Sequence, residues 1–278
     1  AKTWMQWGIK ADCVAGHSVG EITAAAIAGV FSLADACKLV AARARLMGET
    51  DAGSMLVVFA DQKQTQELLA DHPELEICAV NGPQNTVVGG HPDHIKNLQG
   101  ALQSASIQCR LLPVQHAFHT QAMEPVLAQF QAAIKDIKFV TPRMRILSNL
   151  NGQHVGKQMA DAEYWVQQIR NPVNFLACAQ GMLEAQIDVA LEVGPGAALV
   201  SMLQDALAQH HTEQHSDIKL ETVACLQKKH SSLDTITRAM AQLYVAGLDL
   251  NWAQIMPVKQ VEPVVLPTYC YQKKSFWN

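Results

Sequence analysis

Apolar positions along the 278 residues fall into two alternating rhythms. The opening "AKTWMQWGIKADC" predicts the end of a helix, a turn at Gly8 and then a short strand, "DCVA". Helical spacing follows in "GEITAAAIAGVF", a small-faced run suited to close packing on a sheet. Ser32 then caps a second helix, "LADACKLVAARARLMGET". From 54 to 114 the pattern changes. "SMLVVFA", "LEICAV", "NTVVGG" and "IQCRLLPV" predict strands, and "DQKQTQELLADH" and "PDHIKNLQGALQSA" predict helices. The turn "NGPQ" joins the middle two strands.

That order, βαββαβ, is the split pattern of ferredoxin-like domains. Beyond it, helix "QAMEPVLAQFQAAIKDI" leads to strand "MRILSNL". Helix "DAEYWVQQIRNPVNFLACAQGMLEA", strand "VALEVG" and helix "AALVSMLQDALAQH" come next. Strands alternating with helices predict a parallel sheet covered on both faces. We therefore expect a large α/β subdomain in two pieces, 1–53 and 116–226, with a ferredoxin-like insert at 54–115. A tail from 227 to 278 carries one more helix and a proline-punctuated extended segment.

Composition agrees with a folded core: 49% of residues are hydrophobic and 17% charged. A net charge of −4 gives no general reason to expect nucleic acid as a partner. The seven cysteines are dispersed without CxxC spacing, which reads as reduced thiols rather than a disulfide framework or zinc site. No apolar run approaches the ~18 residues that span a bilayer. The expectation is a cytoplasmic protein that does not engage a membrane.

Candidate chemistry starts at "GHSVG", which sets Ser18 between two glycines where strand gives way to helix. A serine hydroxyl attacks well only when a base takes its proton and donors receive the oxyanion. A tight strand–turn–helix would project the Ser18 hydroxyl beside the N–H of Val19. The competing reading is a capping serine with packing glycines. "QHAFHT" holds His116 and His119 where the insert returns to the main domain; each is a candidate base or an ordinary loop histidine. A metal reading of His-x-x-His lacks a third ligand at any fixed spacing. His91, His94, His210, His211 and His215 read as solvated. Arg43 and Arg45 lie on the second helix. Turned inward, Arg43 could clamp a carboxylate bidentately; turned outward, it is a surface charge.

Taken together, seven stretches resemble the malonyl-CoA:acyl-carrier-protein transacylases, in the form of the acyltransferase domain of modular polyketide synthases. They are "GHSVGE", "AARARLM", "NGPQNTVVGG", "HAFH", "YWVQQIRNPVNF", "LEVGPG" and "LPTYCYQKKSFW", in the family's order and across nearly the whole chain. The resemblance implies an α/β-hydrolase-like large subdomain with an inserted ferredoxin-like one. It makes Ser18 the acyl-carrying nucleophile and His119 its base, oriented by the main-chain carbonyl of Gln168. It also makes Val19 N–H an oxyanion donor and Arg43 the holder of the free malonyl carboxylate, and it places His17 and Asn85 at the pocket. The "HAFH" form is similar to malonyl-selecting domains, with His116 and Phe118 setting specificity and the Phe118 ring filling the space of an α-methyl group.

The implied substrate is malonyl-CoA, and the implied acceptor is the phosphopantetheine thiol of an acyl carrier protein. No bound metal or redox cofactor is implied. The tail resembles the linker that follows such domains and wraps back toward an adjacent ketosynthase. Two departures stand out. The family's Gly-Gln-Gly-Ser-Gln segment, which carries a second oxyanion donor, is not in this chain, so a fragment of a larger polypeptide is expected. Cys270-Tyr271 replaces the usual Pro-Phe. Two rivals stay open: a serine hydrolase, in which water takes the second step, and a non-catalytic docking module.

Overall fold

The computed structural model describes residues 1–214, 218–256, 265–272, 274, 276 and 277. It opens with helix α1 (Lys2–Gln6), strand β1 (Cys13–Val14), helix α2 (Val19–Ile27) and helix α3 (Leu33–Met47). Ser32 caps α3 as expected, its hydroxyl accepting from Asp35 N–H at 3.1 Å. Next come β2 (Ser54–Val58), α4 (Gln62–Leu68), β3 (Glu76–Gly82), β4 (Asn85–Gly90), α5 (Pro92–Ser104) and β5 (Cys109–Leu111). Their sheet runs in the order β5-β2-β4-β3 with antiparallel neighbours, which is the ferredoxin-like order.

The chain continues through α6 (Glu124–Ile134), β6 (Arg145–Ile146), α7 (Ala162–Arg170), β7 (Val173–Asn174), α8 (Phe175–Glu184), β8 (Val189–Glu192) and α9 (Ala198–Gln214). It then forms β9 (Glu221–Ala224), α10 (Ser232–Val245) and α11 (Trp252–Ile255).

The small sheet is buried on both faces, which is why β2 reads as an unbroken apolar run. Leu56 and Val58 point to one side, where Ile95, Leu98 and Leu102 of α5 cover them. Met55 and Val57 point to the other, against Val173, Phe175 and Cys178. At about 1.5–3 kcal/mol for each fully buried large side chain, both layers are needed to hold the sheet in place. The large body has its own core, in which Ile22, Leu39, Leu46, Phe130, Ile134 and Trp165 meet.

Several expectations need correcting. The long helix expected from 161 to 185 is two helices, α7 and α8, with β7 between them. Pro172 has no N–H for the helical ladder and keeps the residue before it out of helical geometry. Asn171 is accordingly extended (φ −89°, ψ 157°). The freed segment, β7, joins the small sheet as a fifth strand, parallel to β3. Strand pairing thus crosses from the 116–226 segment into the insert. The expected parallel sheet consists of two separate parallel ladders, β1 with β6 and β8 with β9. β9 carries no turn or periodicity signal strong enough to have been anticipated. α10 packs on β9 beside Trp4, which joins this part of the tail to the large body. Residues 265–272 are exposed and form neither helix nor strand, and residues 257–264, 273, 275 and 278 of the expected extended segment lie outside the described residues. No helix among the described residues is long and apolar enough to cross a membrane.

Candidate active site

Ser18 occupies the N-cap position of α2, yet its side chain makes no capping bond. That separates the two readings of "GHSVG". Its backbone sits at φ 51°, a left-handed conformation costly for a non-glycine residue, and the hydroxyl turns away from the helix. The two flanking glycines are not equivalent. A Cβ on Gly16 would lie 2.1 Å from the carbonyl carbon of Gly20, so strand and helix could not meet there with any side chain. A Cβ on Gly20 would meet nothing within 4 Å.

Ser18 Oγ has two partners. His119 Nε2 lies 2.7 Å away, within hydrogen-bond distance. Arg43 Nη2 donates to the same oxygen at 2.8 Å. The residues come from three separate places: the β1–α2 turn, the middle of α3, and the loop after β5. The loop bearing His119 seats closely on Gly53, where a Cβ would fall 2.3 Å from Ala117 N. His119 is 4% exposed and has φ 62°. Its Nδ1 donates to the Gln168 carbonyl at 3.1 Å, which leaves Nε2 as the acceptor. Burial, then the charge of Arg43 and the neighbouring His17, push its pKa down to about 3. The imidazole is therefore neutral near pH 7, with the unprotonated Nε2 facing the Ser18 hydroxyl.

Arg43 is itself buried, and burial lowers its pKa to about 10, an effect opposed by Glu21. It stays charged at neutral pH, and its Nε has no hydrogen-bond partner. A charged guanidinium beside the Ser18 hydroxyl is suited to meeting an anionic group. Arg45, by contrast, is exposed and pairs with Glu49 at 2.9 Å.

The other predicted residues divide. Val19 heads α2, while Gly20 and Glu21 N–H are already bonded to the His17 and Ser18 carbonyls. His116 and Phe118 lie together with ring centroids 5.7 Å apart, and His116 Nδ1 is 3.2 Å from Thr50 Oγ1. His17 is held by Asn81, whose Oδ1 accepts from Nε2 at 2.7 Å, and burial lowers its pKa. Asn85 makes no such contact: it opens β4, and its buried Oδ1 has no hydrogen-bond partner. The residue that partners His17 is four positions earlier, on the neighbouring strand.

Of the remaining histidines, His91 caps α5, His94 faces Glu74 at 3.5 Å, and His211 bonds to the Ile218 carbonyl. His215 lies outside the described residues. No group of three or more His, Cys, Asp or Glu among the described residues is placed to hold a metal ion.

Besides Asn81, further residues and contacts at the site escaped the sequence reading. Asn149 Oδ1 accepts from Ser18 N–H at 2.7 Å, and its amide also reaches Gly16 O. Glu21, fully buried, accepts at Oε1 from Asn149 N–H (2.8 Å) and from the Tyr164 hydroxyl (2.5 Å). Tyr164 in turn meets Ser148 Oγ at 2.6 Å. The Gln168 side chain, not only its carbonyl, takes part by donating to Ser18 O at 2.8 Å.

Comparison with known proteins identifies the family. The family model for the acyl transferase domain matches residues 1–250. Mycoketide-CoA synthase of Mycobacterium tuberculosis is 36% identical over 272 residues, 98% of this chain and 6% of that protein. Polyketide synthase GfsB of Streptomyces halstedii is 35% identical over 282 residues, 100% of this chain and 5% of that protein. The chain thus spans only a small fraction of the curated relatives it matches. Among solved structures, the acyltransferase domain from the second module of the salinomycin polyketide synthase superposes with a TM-score of 0.86 at 34% identity, covering 95% of this chain and 61% of that one. The fold is shared with a malonyl CoA-acyl carrier protein transacylase from Clostridium perfringens (TM-score 0.75, 22% identity, 88% of this chain and 76% of that one). By sequence along its whole length and by fold, the chain belongs to the acyl transferase domain family, in the form found in polyketide synthases.

Proposed function

We propose that the domain moves a malonyl group from coenzyme A to the phosphopantetheine thiol of an acyl carrier protein through a malonyl-serine ester at Ser18. One observation carries the reading: a single hydroxyl lies between a neutral imidazole at 2.7 Å and a charged guanidinium at 2.8 Å. His119 Nε2 takes the Ser18 proton as Oγ attacks the thioester carbonyl. The developing oxyanion is received at the Val19 N–H, where the N-terminus of α2 adds its positive end. Collapse expels the coenzyme A thiolate, which leaves with the proton from His119. In the second half, His119 accepts the carrier thiol's proton, sulfur attacks the serine ester, and the proton returns to the departing Ser18 oxygen.

Arg43 supports malonyl over a neutral acyl group, since its guanidinium meets the free carboxylate while the thioester carbonyl approaches Ser18. Phe118 narrows the space beside the malonyl α-carbon and disfavours a methyl branch. A methylene is worth only about 1–3 kcal/mol in such a pocket, so discrimination is partial. An acyl carrier protein and an adjacent ketosynthase are the partners this reading requires.

The test is intact-mass measurement after mixing with malonyl-CoA or acetyl-CoA. The reading expects one malonyl increment on the wild-type chain, none on Ser18→Ala, and much slower acetyl loading. Adding a pantetheine thiol separates transfer from hydrolysis: the thiol acquires the malonyl group if the domain is a transferase, and free malonate accumulates if it is a hydrolase. A wild-type chain that never acquires the increment would leave the docking reading ahead.

A further inference from the structure

α2 is small-faced and carries a single charged residue, Glu21, whose side chain has no solvent exposure at all. Burying a carboxylate is costly; the Gln168 amide and the charge of Arg43 favour its ionised form less than burial opposes it, and Oε2 makes no hydrogen bond of ordinary geometry. Two short hydrogen bonds instead meet at Oε1. That oxygen receives the backbone N–H of Asn149 at 2.8 Å and the Tyr164 hydroxyl at 2.5 Å. Tyr164 is tied on to Ser148 Oγ, which also receives Leu150 N–H at 3.1 Å. The carboxylate therefore fixes three consecutive residues that lie more than a hundred positions away in the chain.

Asn149 passes this constraint back to the nucleophile. Its side chain accepts from Ser18 N–H and donates to Gly16 O, bracketing the turn from both sides. Ser18 O receives Gln168 Nε2 at 2.8 Å and Glu21 N–H at 3.0 Å. Both ends of a residue at φ 51° are thus held. A strained backbone persists only where its surroundings over-determine it, and without these bonds the turn would relax.

We propose that Glu21 is a positioning residue for the nucleophile: its side chain locks Asn149, and Asn149 locks the Ser18 turn so that Oγ points at His119 and Arg43. This deepens the acyl-transfer reading and rests on it for the identity of the group transferred. Relaxation of the turn would move Oγ away from the imidazole while leaving the acyl-CoA pocket in place. The defect should therefore appear in the chemical step and not in binding. A displacement of about 1 Å at a reacting atom costs on the order of 10²-fold.

The experiment compares Glu21→Leu, Glu21→Gln, Asn149→Ala and the Glu21→Leu/Asn149→Ala double variant. Each is measured for malonyl transfer and for sulfonylation of Ser18 by phenylmethylsulfonyl fluoride, which carries no carboxylate for Arg43 to bind. Glu21→Leu is expected to slow both reactions on the order of 10²-fold, with KM for malonyl-CoA within about twofold of wild type. Glu21→Gln, which keeps an acceptor at the Oε1 position, restores most of the rate. The double variant is no slower than Asn149→Ala alone, because the two act along one path.

Folded Glu21→Leu with wild-type Ser18 reactivity would overturn the proposal, as would losses that multiply in the double variant. If Glu21→Leu does not fold, Glu21→Asp carries the same test, since its carboxylate stops one methylene short of Asn149. The sulfonylation arm separates the two failures. A wild-type chain that is sulfonylated at Ser18 but never malonylated sinks the substrate assignment and leaves the role of Glu21 to be scored.

Discussion

Lowering the pH from 7 to 5 sets two buried groups near Ser18 against each other, and single substitutions should expose each. Burial raises the Glu21 carboxyl from 4.5 to about 7. Folded protein then holds this proton more tightly than unfolded protein, so its contribution to stability grows as pH falls from 7 toward 4.5 and is lost as pH rises through 7. His119 runs the other way, from 6.5 down to about 3. Its contribution is present above 6.5 and is lost progressively as pH falls below that value. Integrating between pH 7 and pH 5, Glu21 adds about 2 kcal/mol and His119 removes about 2 kcal/mol. In the wild type the two nearly cancel.

His119→Gln should therefore become about 2 kcal/mol more stable at pH 5 than at pH 7, relative to wild type, and Glu21→Gln about 2 kcal/mol less stable. Other titrating groups are common to all three proteins and drop out of the comparison. Urea unfolding at the two pH values, followed by the fluorescence of buried Trp4 and Trp165, measures it. If His119→Gln shows the wild-type pH dependence, burial does not depress the imidazole pKa and the opposed-burial reasoning fails for His119. If both variants shift in the same direction, the opposed-burial reasoning fails.

Arg43→Ala should slow malonyl loading by at least about 30-fold, from the ~2–5 kcal/mol attached to an unpaired buried charge, while acetyl loading changes far less. Parallel loading time courses by mass spectrometry decide it, and equal losses would remove the carboxylate clamp. Phe118→Ala should lower the preference for malonyl over methylmalonyl in a competition assay, within the ~10–200-fold range open to one methyl group. An unchanged ratio would place the selectivity elsewhere. Gly16→Ala should abolish Ser18 reactivity or the fold, because its Cβ would collide with the Gly20 backbone. Gly20→Ala has room and removes a helix-weakening glycine, so its thermal midpoint should stay level or rise. The reverse order would show that the turn is built differently.

Much of this was legible in the chain. Short apolar runs bounded by turn residues, and helical segments between them, located the small sheet and its two helices, because both reflect burial that every strand and helix there experiences. Ser18, Arg43 and His119 were legible through motif and order, not through spacing: nothing local brings residues 25 and 101 positions away onto one hydroxyl. Glu21 was hidden for a different reason. Ser18-Val-Gly-Glu21 has the form of a capping box, in which the glutamate would reach back to the N-cap backbone N–H. Here Asn149 takes that N–H, and the glutamate turns inward to a segment 128 residues away. Asn81 was passed over for Asn85 because a turn with two asparagines does not say which one faces inward. The break at Pro172 was written in the sequence and outweighed by the helical pattern on either side. In each case the deciding contact is tertiary.

The most direct measurement is tandem mass spectrometry of the peptide containing residue 18, taken seconds after malonyl-CoA is added and again after a pantetheine thiol follows. The account predicts malonate esterified to Ser18 in the first sample, and its loss to the thiol in the second. Malonyl found only on another residue, or on none while Ser18 remains reactive toward a sulfonyl fluoride, would contradict it.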